Sequence, residues 1–441
     1  MSAMDPRLSD LALRPFWYED LPPAPEFLEP PPPRADVAIV GSGYTGLNCA
    51  LETARGGRTT VVLEAGEPGC GCSTKNGGQV GTGIKPSLED LARRYGRERA
   101  RAIRAAGRES LEWLAQRLEG EGISCDFRRC GRIVAAHSPE HYGILAEEAR
   151  RLAAEGEEVA LVPRSEQRRE LATDAYFGAL LLPRHAALHP AKYHRGLLER
   201  AIAAGARIVA RAPVTRIERD RGGFLLETPR GRLRAREVAI ATNGYTGHLV
   251  PWLQRRVVPV ESSMIATEEL PPELVASLFP TGRVVSDRRR IVWYFRPSPD
   301  GKRILFGGRV SARAIAPIVA AGRLRARLCQ LFPDLEPFRI SHFWSGAVAW
   351  SFDELPHIGR HEGLWYALGY CGSGVALASW LGSRLGLQIL GREEGETAFD
   401  GLPHPTRPFY SGTPWFLPAV VALYRFLDEY DRRRTMRRHS T

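Results

Sequence analysis

Six residues, Gly41-Ser-Gly-Tyr-Thr-Gly46, constrain this chain more than any others. They follow a short apolar run, Asp36-Val-Ala-Ile-Val40, and open a stretch of helical spacing that continues to about Arg55. Such a run is typical of strands buried on both faces of a parallel sheet. A second run, Thr59-Thr-Val-Val-Leu63, completes a β-α-β unit, and Glu64 ends it 23 residues beyond Gly41. In that order the parts form a dinucleotide cradle. Gly41 permits the tight turn and Gly43 lets a pyrophosphate approach the backbone. Gly46 and Ala50 let the helix pack on the sheet. Tyr44 and Thr45 open the helix, whose N-terminus offers free N–H groups and partial positive charge to a phosphate. A carboxylate at Glu64 accepts the hydroxyls of an adenosine ribose and repels a 2′-phosphate, which disfavours NADP.

The chain has 441 residues, two to three times a typical domain, so two domains and ample core are expected. A 44% hydrophobic and 25% charged composition excludes extended disorder. No apolar run approaches the ~18–20 residues needed to cross a bilayer. The proline-rich stretch from Met1 to Arg34 lacks the basic and apolar regions of a secretory signal. Seven scattered cysteines, with Cys70 and Cys72 too close for a zinc hook, read as reduced thiols in a cytoplasmic protein, and no metal site is expected. The net charge is +11, but 57 of the 61 basic residues are arginine, which reads as compositional bias rather than a nucleic-acid surface. The one dense basic cluster, Arg432–Arg434 with Arg437 and Arg438, lies in the tail without a reading motif, so a nucleic-acid partner is not expected. Peripheral membrane contact through that tail is the sharper alternative to a helix, Pro414 to Tyr424, packed on the body.

Helical spacing runs from Leu88 to Leu118, and again over His141–Glu155, Lys192–Ala204, Ile315–Leu331 and Val375–Leu390. Strands are expected at Arg132–Ala136, Ala179–Leu182, Arg207–Ala210, Glu237–Ala241 and Trp365–Leu368. A hairpin is expected at Phe224–Thr228 and Arg232–Ala235, and antiparallel strands over Val257–Arg309. The fold expected is α/β: a Rossmann-type dinucleotide domain interleaved with a mixed-sheet (α+β) substrate domain.

Three further motifs carry chemistry. Gly69-Cys-Gly-Cys-Ser-Thr-Lys-Asn-Gly-Gly-Gln79 is a glycine-rich loop directly after the ribose acid. Ala241-Thr-Asn-Gly-Tyr245 follows a buried strand, and Gly369-Tyr-Cys-Gly-Ser-Gly-Val375 makes a second strand–turn–helix. A second helix N-terminus suits a flavin, where it stabilises negative charge as the ring takes up hydride. Together with Leu188-His-Pro190, Tyr294-Phe-Arg-Pro297, Leu305-Phe-Gly-Gly-Arg309 and Leu355-Pro-His-Ile-Gly359, these stretches resemble the D-amino-acid-oxidase-like FAD oxidoreductases. The branch most similar is that of gamma-glutamylputrescine oxidoreductases, through Gly43-Tyr-Thr-Gly-Leu47 and Asn76-Gly-Gly-Gln79.

The resemblance implies an FAD domain assembled from residues 34–87, 186–250 and 341–393. Residues 88–185 and 251–340 would form the substrate domain, with 1–33 a lead-in and 394–441 a C-terminal extension. It implies FAD contacts at Gly41, Gly43, Tyr44, Thr45, Gly46, Glu64, Ser73, Asn76, Gly78, Gln79, Val214, Gly372 and Gly374. Gln79, Tyr294, Arg296 and Trp344 are the candidate substrate-pocket walls; no catalytic residue is assigned. His189 and His357 read as structural histidines rather than bases. The family's amino-acid oxidases place an arginine after Trp-x-Gly to clamp a carboxylate, whereas this chain has Trp344-Ser-Gly-Ala-Val-Ala-Trp350. The lysine that one branch sets over the flavin has no counterpart in Ile304–Gly308. The implied activity is oxidation of a C–N bond of an amine or N-substituted amino acid by hydride transfer to flavin N5, with oxygen or another acceptor as partner. The alternatives are an FAD-dependent tRNA-modification enzyme and a dehydrogenase passing electrons to a quinone or membrane partner.

Overall fold

The computed structural model describes residues 5–23, 25–309, 311 and 315–438, with side chains described as far as residue 431. Two eight-stranded sheets organise these residues. The first runs in the order His357–His361, Leu364–Leu368, Gly231–Ile240, Arg34–Val40, Thr60–Leu63, Arg207–Val209, with Arg216–Asp220 and Gly223–Thr228 attached to its 231–240 strand. All but the 357–361 strand on that path are parallel to their neighbours. Arg34–Val40 is central and pairs on both sides, which explains its apolar run.

Helices Tyr44–Arg55 and Gly374–Ile389 pack on this sheet and on each other. Gly382 makes the contact possible: a Cβ there would lie 2.4 Å from the Thr45 carbonyl oxygen. The two N-termini are thereby brought to one cavity.

The second sheet runs Ile340–Ser351, Val257–Thr267, Ile304–Gly308, Trp293–Pro297, Val284–Asp287, Arg132–Ala135, Ala179–Leu182, Ala160–Val162. Strand alternation divides its residues between two faces. Ile265, Phe306, Phe295, Val285 and Ile133 form one apolar face beneath helix Pro317–Leu331. Ser286, Tyr294, Gly307, Met264 and Trp344 follow one another across the opposite face by register.

Several expectations need correction. The helical stretch 88–118 is two helices, Leu88–Tyr95 and Arg97–Gly120, broken at Gly96 with φ 83°. The strands expected at 232–235 and 237–241 are one strand, Gly231–Ile240, which serves a hairpin at one end and the parallel ladder at the other. The 341–393 stretch is divided: Ile340–Ser351 is a full-length member of the second sheet, and the chain rejoins the first only at His357. The C-terminal helix, Leu417–Arg438, starts later and runs further than the 414–424 expectation. The side chains of Arg432–Arg434, Arg437 and Arg438 lie outside the described residues.

Candidate active site

A cavity of about 1030 Å³ runs from the glycine turn of the first sheet to the polar face of the second. At the first end Gly41 has φ 104°, and a Cβ there would lie 2.9 Å from the Ala241 carbonyl oxygen, so the turn needs glycine. The helix after Gly43 and the helix after Ser373 both begin without a cap from the preceding residue's own side chain, and both N-termini line the cavity. Ser42 donates to Glu64 Oε2 through its backbone N at 2.9 Å and its hydroxyl at 2.7 Å, and Gly66 N donates to Oε1 at 3.1 Å. Those bonds hold the carboxylate on the cavity wall.

Gly43, Tyr44, Thr45, Ser73, Asn76, Gln79, Val214, Gly372 and Gly374 line the same cavity. Ser73 Oγ accepts from Tyr44 N at 3.0 Å. Asn76 ties its loop together, donating to the Cys72 and Ser73 carbonyls and accepting from Gly78 N. The space beside Gly372 is open: a Cβ there meets nothing within 4 Å. Two expected contacts are not on the wall. Gly46 sits behind the turn, where a Cβ would be 1.9 Å from the Gly41 carbonyl oxygen. Gly78 turns its carbonyl toward Leu188 N and Arg296 instead.

At the second end Tyr294 donates to or accepts from Ser262 Oγ at 2.8 Å. Burial raises its pKa, so it stays a neutral phenol. Gln79 Nε2 donates to the Val285 carbonyl at 2.9 Å, bridging the glycine loop to the second sheet. Arg132 donates twice to Ser286 Oγ, and burial brings its pKa down to about 10. Lys85 faces the Trp350 ring at 5.8 Å, its pKa lowered by burial and by Arg132. Cys371 adopts φ 50°, with Sγ 3.4 Å from Ser351 Oγ, and burial pushes its thiol up to about 11. A thiol held neutral in this way is a poor nucleophile.

Arg296 and Trp344 are not pocket walls. Both lie on the cavity-facing side of the second sheet, but the Lys75–Asn76 loop and the N-terminal turn Phe16–Tyr18 cover that part. Arg296 is spent on the carbonyls of Gly78, Leu188 and Pro297. Trp344 Nε1 donates to the Lys75 carbonyl at 3.0 Å, and Trp17 Nε1 to that of Asn76 at 2.9 Å. His189 caps helix Pro190–Ala203, its Nδ1 accepting from Lys192 N, and burial lowers its pKa to about 4. His357 Nε2 lies 3.0 Å from Asp353 Oδ1, and its ring stacks on His404 at 3.8 Å. Neither histidine lines the cavity.

Sequence reasoning missed Ser42, and Lys85, although Lys85 is one of only four lysines in the chain. It also missed the last wall. Phe416, Leu417, Val420, Val421 and Tyr424 of the C-terminal segment line the cavity. Arg290 holds that helix through Asp428 at 3.1 Å and Asp431 at 2.8 Å. No local motif announces this contact, because its partners are 138 and 141 residues apart.

The first end fits FAD: two helix N-termini without a cap from their own N-cap side chains, an open glycine turn and a carboxylate held on the cavity wall. The family model for DAO, FAD dependent oxidoreductase, matches residues 36–386. The chain is 32% identical over 399 residues to gamma-glutamylputrescine oxidoreductase of Escherichia coli (strain K12), covering 89% of this chain and 92% of that one. It is 31% identical over 414 residues to the probable oxidoreductase OrdL of Rhizobium meliloti (strain 1021), covering 92% and 95%. Among solved structures, glycine oxidase from Geobacillus kaustophilus superposes with a TM-score of 0.69 at 26% identity, covering 86% of this chain and 99% of that one.

Proposed function

Because the chain belongs to the DAO family of FAD-dependent oxidoreductases, we propose that it oxidises a C–N bond of an amine or an N-substituted amino acid. FAD, when bound, supplies the hydride acceptor at N5. The observation that carries this reading is the continuity of the cavity, from Glu64 and the glycine turn to Tyr294 and Trp350 on the second sheet. Amine oxidoreductase and amino-acid oxidase names among the relatives support it.

In this reading Gly41, Gly43, Tyr44, Thr45 and Ser73 receive the pyrophosphate, and Glu64 the ribose. Val214 borders the adenine, and Asn76, Gln79, Gly372 and Gly374 border the ring. The Tyr294–Ser262 pair orients the substrate. The cations Lys85 and Arg132 disfavour an ammonium nearby and so favour the neutral amine, whose lone pair assists hydride departure. The protein's part is positioning and exclusion of water, with no side chain needed as base. Gly346, Val348 and Trp350 occupy the cavity wall where the family's amino-acid oxidases carry their arginine, which favours amines without a carboxylate beside the oxidised carbon. The seven unpaired cysteines support a reducing, cytoplasmic setting.

An anaerobic titration of the yellow holoprotein tests this, with polyamines, their acyl derivatives, N-methyl amino acids and D-amino acids. Amines should bleach the flavin at least tenfold more efficiently than D-alanine or glycine. A colourless protein that takes up no FAD would sink the reading, and reduction by D-alanine alone would sink its substrate half.

A second reading, electron delivery to a quinone or membrane partner, is favoured by Phe409, Trp415, Phe426 and Tyr430, all exposed beside or on the C-terminal helix. No helix among the described residues is long and apolar enough to cross a membrane, so the contact would be peripheral. Sedimentation with anionic vesicles, lost on deleting residues 409–441, would support it; equal recovery with and without the tail would dismiss it.

A further inference from the structure

Outside the cavity, the first turn of helix Pro139–Ala154 meets the C-terminal helix through two histidines and an aspartate. Strand Arg132–Ala135 ends just before that turn, and Ser138 caps it by accepting from His141 N at 3.2 Å. The cap sets His137 ahead of the helix and His141 within its first turn, with the two rings 4.0 Å apart, edge to face. Asp431 comes from the C-terminal helix and brings Oδ2 to 3.7 Å from His141 Nε2. One donor atom from each of the three lies within 4.8 Å of the other two.

His137 is 3% exposed, and among the described residues neither of its ring nitrogens has a hydrogen-bond partner; His141 Nδ1 has none either. A buried imidazole ordinarily donates from one nitrogen and accepts at the other, and leaving both unpaired is costly. A metal ion takes such a lone pair directly. Burial, with Arg289 behind it, holds the His137 pKa far below the ordinary range, so the ring is neutral, the form that ligates. The charges around the three groups are largely balanced. Arg289, Arg290 and Arg327 act on His137, and Arg288 and Arg290 on His141. Asp287 pairs with Arg289, Glu148 with Arg288, and Asp428 and Asp431 both with Arg290. The Arg290 contact to Asp431, at 2.8 Å, is the outer hydrogen bond that ligating carboxylates carry. The Asp431 side chain is a quarter exposed, which gives an ion a way in and a water a fourth position.

We propose that His137, His141 and Asp431 bind a zinc-class divalent ion, and that the ion clasps the C-terminal helix to the body of the protein. Two imidazole nitrogens, one carboxylate oxygen and an open fourth position suit zinc. Tetrahedral zinc sets such donors about 3.3 Å apart, so the three close by about 1.5 Å at most. No cysteine takes part. The clasp acts on the cavity through the helix: Asp431 follows Tyr424 by two turns, about 10 Å, and Phe416, Val420 and Tyr424 line the cavity. An ion at Asp431 pins that wall.

The full-length, FAD-loaded protein, freed of metal with a chelator, tests this by titration with Zn²⁺ and with Co²⁺ as a spectroscopic probe. Wild type should take up the ion stoichiometrically. D431N and H137N should each weaken uptake at least tenfold, the least that losing even an outer partner costs. Zinc should raise the melting temperature of wild type and of neither variant. It should slow tryptic cutting within residues 417–438 in wild type and not in D431N. The cobalt spectrum should show the d–d bands of a four-coordinate site without sulfur-to-cobalt charge transfer, since Cys70 and Cys72 are the thiols an ion would otherwise reach. Absence of stoichiometric uptake, uptake undiminished in either variant, or a sulfur charge-transfer band overturns the site. Uptake that leaves cutting of the tail unchanged overturns the clasp. If H137N fails to fold, D431N and the cobalt spectrum decide: Asp431-dependent uptake without a sulfur band supports the site, and any other result overturns it.

Discussion

The two ends of the cavity are made of different material. The FAD end is mostly backbone: glycines where a side chain would collide, and two helix N-termini that their own N-cap residues leave uncapped. The sheet end is mostly side chains, Tyr294, Ser262, Trp350, Lys85, Arg132 and Arg309, drawn from separate strands and loops. Backbone recognition depends on a few adjacent residues, so one substitution can remove it entirely. Side-chain recognition is distributed, so single substitutions there should adjust the substrate rather than abolish chemistry.

The sharpest way to break this comparison is Gly43→Val. A Cβ at residue 43 would lie 2.9 Å from Ser73 Oγ, a contact that rotation of one hydroxyl relieves, so the apoprotein should fold. The branched side chain would nevertheless fill the space where a pyrophosphate meets the helix N-terminus. FAD binding should fall by more than about 1000-fold, the equivalent of ~4 kcal/mol. Absorbance of the purified variant at flavin wavelengths measures it; a yellow protein would show that the glycine turn is not the phosphate site.

Glu64→Ala should come next. It removes a carboxylate that Ser42 and Gly66 hold with three hydrogen bonds. Charge-assisted hydrogen bonds are worth ~1.5–3 kcal/mol each, so losing the ribose contacts should weaken FAD about 10- to 100-fold or more. Flavin retained through dialysis as in wild type would contradict the ribose role.

What was legible in the sequence follows the same division. The Gly41–Gly46 turn, Glu64 and the Gly372–Gly374 turn each announce themselves within a few residues, because strand, glycine and helix are adjacent in the chain. The sheet end does not. Whether Arg296 or Arg309 faces the cavity depends on what covers the sheet, and the cover over Arg296 comes from Phe16–Tyr18, near the other end of the chain. Tyr294 and Arg296 have the same strand parity and look equivalent in sequence, yet only Tyr294 lines the cavity. Strand Ile340–Ser351 joins the second sheet only through long-range pairing with Val257–Thr267, which local patterning does not disclose.

Arg296→Met sharpens the distinction between a residue on the substrate face and a residue in the site. The guanidinium holds the Gly78 and Leu188 carbonyls together in a buried place. Gly78 keeps its bond from Leu188 N, but the buried Leu188 carbonyl loses the Arg296 donor, at a cost of about 1–3 kcal/mol. The melting temperature should fall, while the relative rates with different amines should stay as in wild type. A changed substrate order with an unchanged melting temperature would return Arg296 to the pocket.

The smallest effect is expected at the sheet end itself. Tyr294→Phe removes one hydroxyl, bonded to Ser262 Oγ at 2.8 Å, and keeps the ring that covers Gly307. The ring keeps the local packing, so stability should change by less than about 1 kcal/mol. FAD content should not change, because the residues proposed to receive the pyrophosphate and ribose lie on the other wall. What is lost is one hydrogen bond that fixes the substrate against the sheet, worth about 1 kcal/mol, or roughly fivefold. The loss should fall on amines able to bond that hydroxyl and spare fully alkylated ones. Anaerobic flavin reduction across a series from primary to tertiary amines measures it. A uniform loss of a hundredfold or more would mean that Tyr294 takes part in the chemical step, and the division between a backbone wall that is indispensable and a side-chain wall that tunes would fail at this residue.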